Sequence, residues 1–254
     1  MIPVPLAVAL LLALFAGGPA PAVAQDADWT IEGQLGGSLS FGSRDQTRFS
    51  SRLLVERLDA LAESKLDLSF LYGTAPDSDG RSRVNARSWE VEGQVDLLPA
   101  GTWRPFVSGS LGSSLERRIQ ARYDTGAGVL LALRDERFGR IDLSVALMAE
   151  RTMARPGGPG TPEGVSLVRW SSSVEARHRV LDDRVELRSR QSYRPVFDER
   201  DNVRIQSDKR AAIDVTRTLA LQAGLRIDYD SAARDRGAAS NLDGRTEISV
   251  RARF

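Results

Sequence analysis

The sequence contains no cysteine, which excludes disulfides and thiolate metal sites. Histidine is reduced to one residue, His178. Lysine is nearly missing as well. Of 35 basic residues only Lys65 and Lys209 are lysine, so 35 − 2 = 33 are arginine. Neither sign of charge is in excess: 34 acidic residues leave a net charge of +1 and no electrostatic case for nucleic acid. Long apolar runs are absent beyond Leu6–Ala16 near the N-terminus, which excludes a multispanning helical membrane protein. With 41% hydrophobic residues, the chain still has enough apolar content for a core or a membrane face, so it does not read as disordered.

Residues 1–24 have the form of a secretory signal peptide. An apolar stretch ends at Gly17-Gly18-Pro19, and Ala22-Val23-Ala24 makes a small-x-small cleavage site before Gln25. No basic residue precedes the stretch, which leaves an uncleaved anchor as the alternative. The expected organisation is a signal peptide over 1–24 and one β-barrel domain over 25–254.

From Trp29 onward apolar and polar residues alternate with a period of two, the signature of strands with one apolar and one polar face. Trp29, Ile31, Leu35 and Leu39 oppose Thr30, Glu32, Gln34 and Ser38. The pattern recurs at Phe49–Val55, Leu66–Tyr72, Trp89–Leu97, Trp103–Leu111, Ile119–Leu133, Ile141–Leu147, Val168–Ala176, Val185–Phe197, Val203–Val215, Leu219–Tyr229 and Ile248–Phe254. That predicts twelve strands. Several are about ten residues or longer, the length a tilted strand needs to cross hydrocarbon.

Short connections (98–101, 181–184, 216–218) alternate with longer polar ones (74–82, 151–164, 231–243). Short turns at one end and long loops at the other match an antiparallel transmembrane barrel of the outer-membrane type, with periplasmic termini. Trp29, Trp103, Phe138 and Phe254 are expected at the periplasmic rim. Phe41, Phe49, Tyr72, Tyr123, Trp170, Phe197 and Tyr229 are expected at the outer rim, as two aromatic girdles. The alternative is a soluble periplasmic β-barrel or sandwich binding protein, which would hide its apolar parity inside.

The chain ends on Phe254 with Ile248, Val250 and Ala252 at alternate positions before it. This resembles the C-terminal signature that outer-membrane barrels present to their assembly machinery. The opening strand WTIEGQLGGSLSFG and the internal RYDTGAGVLLAL resemble the salt-induced outer-membrane protein family, a domain of unknown function in Gram-negative bacteria. The resemblance spans roughly 29–254. It implies an outer-membrane barrel without known catalytic residues. One departure is the first hairpin loop, SRDQ, which lacks the family's glycine–asparagine turn.

Candidate chemistry is sparse. His178 shares parity with Val174, Ala176 and Val180, which puts it on the outward face near a periplasmic turn. A lipid-modifying enzyme would need a serine within hydrogen-bond reach of it, and the next position on that face is Val180. Asp77-Ser78-Asp79-Gly80 imitates part of a calcium loop, but the first and twelfth ligand positions are Ala75 and Ala86. Gly126-Ala127-Gly128 lacks the third glycine and the helix of a nucleotide loop, and Gly157–Pro162 reads as an external loop. No cofactor and no metal site are expected.

The inward face carries the information. The lumen-lining candidates are Arg177, Arg188, Arg190, Arg194, Arg204, Arg210 and Arg226, with Glu90, Glu92, Asp208 and Asp228. One reading interlocks arginine forks with carboxylates and closes the lumen. The other lines a narrow pore for a small polar or acidic solute, led by Arg188, Arg190 and Arg194 with only Glu186 beside them. Near-balanced charge favours the interlocked reading. The expected protein is therefore a non-enzymatic envelope barrel or narrow channel. Its partners are outer-membrane lipid, the barrel-assembly machinery and a small polar or acidic solute, with no nucleic acid.

Overall fold

The computed structural model describes residues 28–40, 46–76, 79, 81–135, 139–156, 164–199 and 201–254. They form twelve strands: β1 (Asp28–Ser40), β2 (Gln46–Leu58), β3 (Ala62–Pro76), β4 (Ser82–Leu97), β5 (Trp103–Ser114), β6 (Ile119–Asp135), β7 (Gly139–Ala154), β8 (Val165–Val180), β9 (Val185–Pro195), β10 (Val203–Asp214), β11 (Leu219–Asp230) and β12 (Leu242–Arg253). Each strand pairs antiparallel with its chain neighbours, and β1 pairs with β12, so the sheet is a closed barrel. Closure leaves no free sheet edge, which is the condition for a sheet to sit in hydrocarbon.

The apolar parity faces outward. Leu35, Val145, Ile213 and Ile248 are exposed on the wall, Ile248 to 66%. The polar parity is turned in, and Glu150, Arg122, Asp124 and Glu186 are buried. A soluble barrel or sandwich has the opposite arrangement, so that alternative is overturned.

Trp29, Trp103 and Phe254 are exposed at the end where β1 begins and β12 finishes, with the Arg57 guanidinium 5.7 Å from the Trp29 ring centroid. At the other end Trp170 and Phe197 stack with centroids 5.6 Å apart. Of the other girdle residues, Phe49 and Tyr72 are exposed and Tyr123 and Tyr229 half-buried, while Phe41 and Phe138 lie outside the described residues, as do the leader 1–24 and the loop 157–162. Of Asp77–Gly80 only Asp79 is described.

Turn chemistry is local. In the β2–β3 turn Asp59 Oδ1 accepts hydrogen bonds from the backbone N–H of Leu61 (2.9 Å) and Ala62 (2.8 Å). Burial pushes the Asp59 carboxyl up, and the backbone donors with Arg57 more than offset this and leave it below its ordinary range. The β8–β9 turn places Leu181, Asp182 and Asp183 at φ of 55°, 54° and 63°, a left-handed run that aspartate tolerates better than leucine. Loop lengths depart from expectation in one place. β3 and β4 continue to Pro76 and from Ser82, so their connection is only 77–81, as short as the turns at the terminal end. The long connections are 155–164 and 231–241.

Closure depends on the shortest register in the barrel that joins two chain ends. β1 and β12 pair from Glu32↔Arg253 to Gly37↔Ile248, and the backbones of Ile31 and Phe254 exchange bonds of 3.2 and 2.9 Å. The side chains of the first pair reinforce it, since Arg253 Nε donates to Glu32 Oε1 at 2.8 Å.

The lumen is not uniformly polar. Phe106, Leu130, Ala132, Ala146 and Met148 form an apolar cluster inside the wall at β5–β7. The glycines of RYDTGAGVLLAL belong to this sector. A Cβ on Gly126 would lie 2.7 Å from the Leu147 carbonyl oxygen, and one on Gly128 would strike the Val145 carbonyl oxygen and come within 2.7 Å of Ala146 Cβ. Glycine here permits close approach of β6 to β7. We expect Gly128→Val to destabilise the barrel by about 3 kcal/mol or more, and Gly33→Ala, whose Cβ meets nothing within 4 Å, to stay within about 0.5 kcal/mol. Urea unfolding in lipid vesicles, followed by tryptophan fluorescence, reads both.

Candidate functional site: the charged lumen

The inward side chains meet in four groups. Beside the closing seam, Glu32 accepts from Arg253 and Arg188, while Glu186 accepts from Arg251 Nη1 (3.0 Å) and from Arg188. Across the same end of the barrel, Glu63 pairs with Lys65 (3.0 Å) and Arg104 (3.0 Å), and Arg140 Nε donates to Asp142 (2.6 Å). Asp96, fully buried, takes a 2.6 Å bond from Gln94.

The third group crosses the middle. Arg190 on β9 sends two bonds, 2.8 and 3.3 Å, to Glu92 on β4. Arg226 on β11 reaches Glu90 on β4 at 3.4 Å and its own-strand neighbour Asp228 at 2.9 Å. In a ring of twelve strands β9 and β11 are each five steps from β4, so these bridges run almost diametrically through the lumen. Arg52 pairs with Asp67, and Arg210 forks onto Asp208 at 2.7 and 2.6 Å.

The fourth group lies nearer the loop end and is the most buried. Glu150 is held by Arg169 (2.6 Å), Arg204 (2.8 Å), Arg122 (3.5 Å) and the Thr152 hydroxyl (2.9 Å). Asp230 takes Arg122 at 3.0 Å and Arg236 at 2.6 Å. Arg117, from the β5–β6 turn, reaches Asp228 at 2.9 Å. Carboxylates this deeply placed cost several kcal/mol to desolvate unless paired, and each has at least two cationic partners here.

The space left between the bridges is a cavity of about 290 Å³. Eleven Lys/Arg and twelve Asp/Glu line it, so the cavity holds no surplus of positive charge. Among the sequence candidates, Arg177, Arg188, Arg190, Arg204, Arg210, Arg226, Glu90, Glu92, Asp208 and Asp228 border this cavity. Arg194 stands outside that lining, with a buried Nε that has no hydrogen-bond partner. Arg177 and Arg245 line the cavity and make no ion pair among the described residues.

The structure corrects the picture of strand nine. Arg188, Arg190 and Arg194 are not an arginine stripe with Glu186 alone beside it. Arg190 has Glu92 across the lumen and faces Glu175 and Asp208 on the adjacent strands, and Arg188 shares Glu32. Partners on distant strands are invisible to parity within one strand.

Arg104 and Arg169 were not singled out from the sequence, although each sits at the polar parity of its strand. Arg117 and Arg236 reach in from a turn and a loop, where parity gives no signal. His178 has Leu187 opposite it on β9. The hydroxyl on the diagonal is Ser189, and the His178 Nδ1 makes no hydrogen bond to it.

A family model described as "Protein of unknown function, DUF481" matches residues 33–254. The chain belongs to the DUF481 family. No curated protein matches the sequence. Among solved structures, the translocator domain of autotransporter NalP from Neisseria meningitidis is 11% identical, with 98% of this chain and 95% of that one covered and a TM-score of 0.44. The KdgM porin is 13% identical over 89% and 99% of the two chains, with a TM-score of 0.43. The NanC porin is 12% identical over 89% and 98%, with a TM-score of 0.44.

Glu150 is the keystone of the DUF481 barrel's most buried charge group. Removing it leaves three clustered guanidinium groups without their shared anion. Glu150→Ala should cost about 3–5 kcal/mol, while Glu247→Ala, on a half-buried residue near the cavity wall, should cost under about 1 kcal/mol. Urea midpoints of the refolded variants in vesicles check the contrast.

Proposed function

We propose that this protein is a non-enzymatic barrel of the Gram-negative outer membrane whose lumen is closed at rest by arginine–carboxylate bridges, and that its role is in the structure of the envelope. The observation that carries the reading is the pair of near-diametric bridges, Arg190–Glu92 and Arg226–Glu90. They run from β4 to β9 and β11, each five strands away in the ring, and the space left beside them is about 290 Å³. The apolar wall with aromatic residues at both ends supports the membrane location, and the signal peptide over 1–24 supplies the route. The series Ile248, Val250, Ala252 and Phe254 is the part offered to the barrel-assembly machinery. Ile248, Val250 and Phe254 are exposed on the wall. The salt-induced character implied by the sequence resemblance belongs to this proposal and rests on the quoted strand motifs.

A second reading, a narrow channel for a small acidic solute, is favoured by one observation. Arg177 and Arg245 line the cavity and have no carboxylate within ion-pair distance among the described residues, so they are available to an anion. The balance of charge around the cavity counts against it, since an anion pore needs a surplus of unpaired positive charge.

Planar-bilayer recording separates the two. The wild-type barrel should show no stable conductance steps. Glu90→Gln combined with Glu92→Gln, which releases Arg226 and Arg190 from β4 while Arg226 keeps Asp228, should open steps with anion selectivity. Steady anion-selective conductance from the wild type would establish the channel reading.

A further inference from the structure

Lys209 stands on the wrong side of the wall. It lies on β10, six residues from Val203 and five from Asp214, with its parity shared by the outward residues Ile205 and Ile213. It is exposed and makes no ion pair or hydrogen bond among the described residues. The hydrocarbon band of such a barrel is about 25 Å tall, so each interface is roughly 12 Å away. A four-carbon stem does not carry the ammonium that far. No other charged side chain among the described residues faces outward at this depth.

Its neighbours on the wall are polar as well. Ser189 on β9 is its register partner, and Gln191 and Ser207 are opposite one another two residues further along. On the other flank Lys209 meets Leu225, where the wall is apolar again. The polar break is therefore a compact patch on β9–β10 with one cation at its centre. An ionisable group at mid-depth destabilises a barrel unless something pairs with it.

We propose that this patch is a lateral docking surface for a membrane-embedded partner protein that presents a carboxylate at mid-depth. Charge complementarity selects the partner's chemistry, with Lys209 as the ionic contact and Ser189, Gln191 and Ser207 as hydrogen-bonding neighbours. A second copy of this chain does not supply it. Its described outward positions between the two ends carry no Asp or Glu, and a two-fold pairing of the patch would set Lys209 against Lys209. A lipid phosphate sits at the interface, well above the patch.

The test uses the purified barrel refolded into phosphatidylcholine vesicles at pH 8, with energy transfer to a labelled membrane-spanning apolar peptide. One peptide carries a single central Asp, the other Leu at that place. The wild type should bind the Asp peptide at least about tenfold more tightly, and Lys209→Met should abolish the preference. Lys209→Met should also raise the folded-to-unfolded ratio by about thirtyfold or more, because a charge leaves the mid-plane.

Equal binding of the two peptides, or a preference kept by Lys209→Met, would overturn the proposal. So would a lower folding ratio in that variant, which would mean Lys209 is not held in hydrocarbon. Lys209-dependent enrichment of spin-labelled phosphatidylglycerol without a peptide preference would assign the patch to lipid instead. Lys209-dependent self-association without one would assign it to a second copy.

Discussion

A charge withdrawn from water must find an opposite charge, and in this barrel that requirement is met through the lumen rather than along its wall. The inward face of nearly every strand carries ionisable residues. Some pair within a strand or with the adjacent one, as Arg210–Asp208 and Arg52–Asp67 do, and others connect strands that are neighbours neither in sequence nor in the sheet. Arg190 to Glu92, Arg226 to Glu90 and Arg122 to Asp230 each tie one side of the ring to the other. The near absence of lysine follows from this. A guanidinium offers several donors in a planar fork and serves two carboxylates at once, as Arg188 does with Glu32 and Glu186. An ammonium is a more strongly hydrated point charge and is harder to bury.

The same period-two pattern answers two demands together. Its apolar half covers the wall and its polar half fills the interior, so the barrel needs no conventional core. The exception is the sector around Phe106, Leu130, Ala146 and Met148, where apolar side chains face inward and Gly126 and Gly128 let β6 approach β7. There the wall is apolar on both sides, which matches the run VLLALR in β6, where alternation is hard to see. The opposite exception is Lys209, a polar-parity residue type at an apolar-parity position. Both depart from the simple rule, and both mark places where the barrel does more than separate lipid from charge.

Strand number, strand placement and the facing of most side chains were legible in the sequence because a strand records its environment at every second residue; Ile119, expected outward, is instead buried against the lumen cavity, where a bulge between Ile119 and Ala121 breaks the parity. Trp29, Leu35 and Ile248 announced the outer wall, and Glu92, Arg190 and Asp228 the inner one. Pairing was not legible. Glu92 and Arg190 are 98 residues apart, and nothing in either strand names the other. The keystone role of Glu150 was equally hidden, since it depends on Arg122, Arg169 and Arg204 converging from three other strands. Arg236 was hidden for another reason. It belongs to the 231–241 connection, which folds back so that Ala233 is buried and the guanidinium meets Asp230. Loops carry no periodicity from which such a return could be read.

On the proposed reading, specific bridges rather than general narrowness keep the lumen shut. Reversing the charges of one bridge tests it most directly, by single-channel recording of Arg190→Glu, Glu92→Arg and the variant carrying both. If the bridge is the closure, each single reversal conducts and the double reversal, which restores an opposite-charge pair across the lumen, is silent again. If the single reversals stay silent, or the double reversal conducts as they do, the lumen is closed by something other than these ion pairs and the account is contradicted.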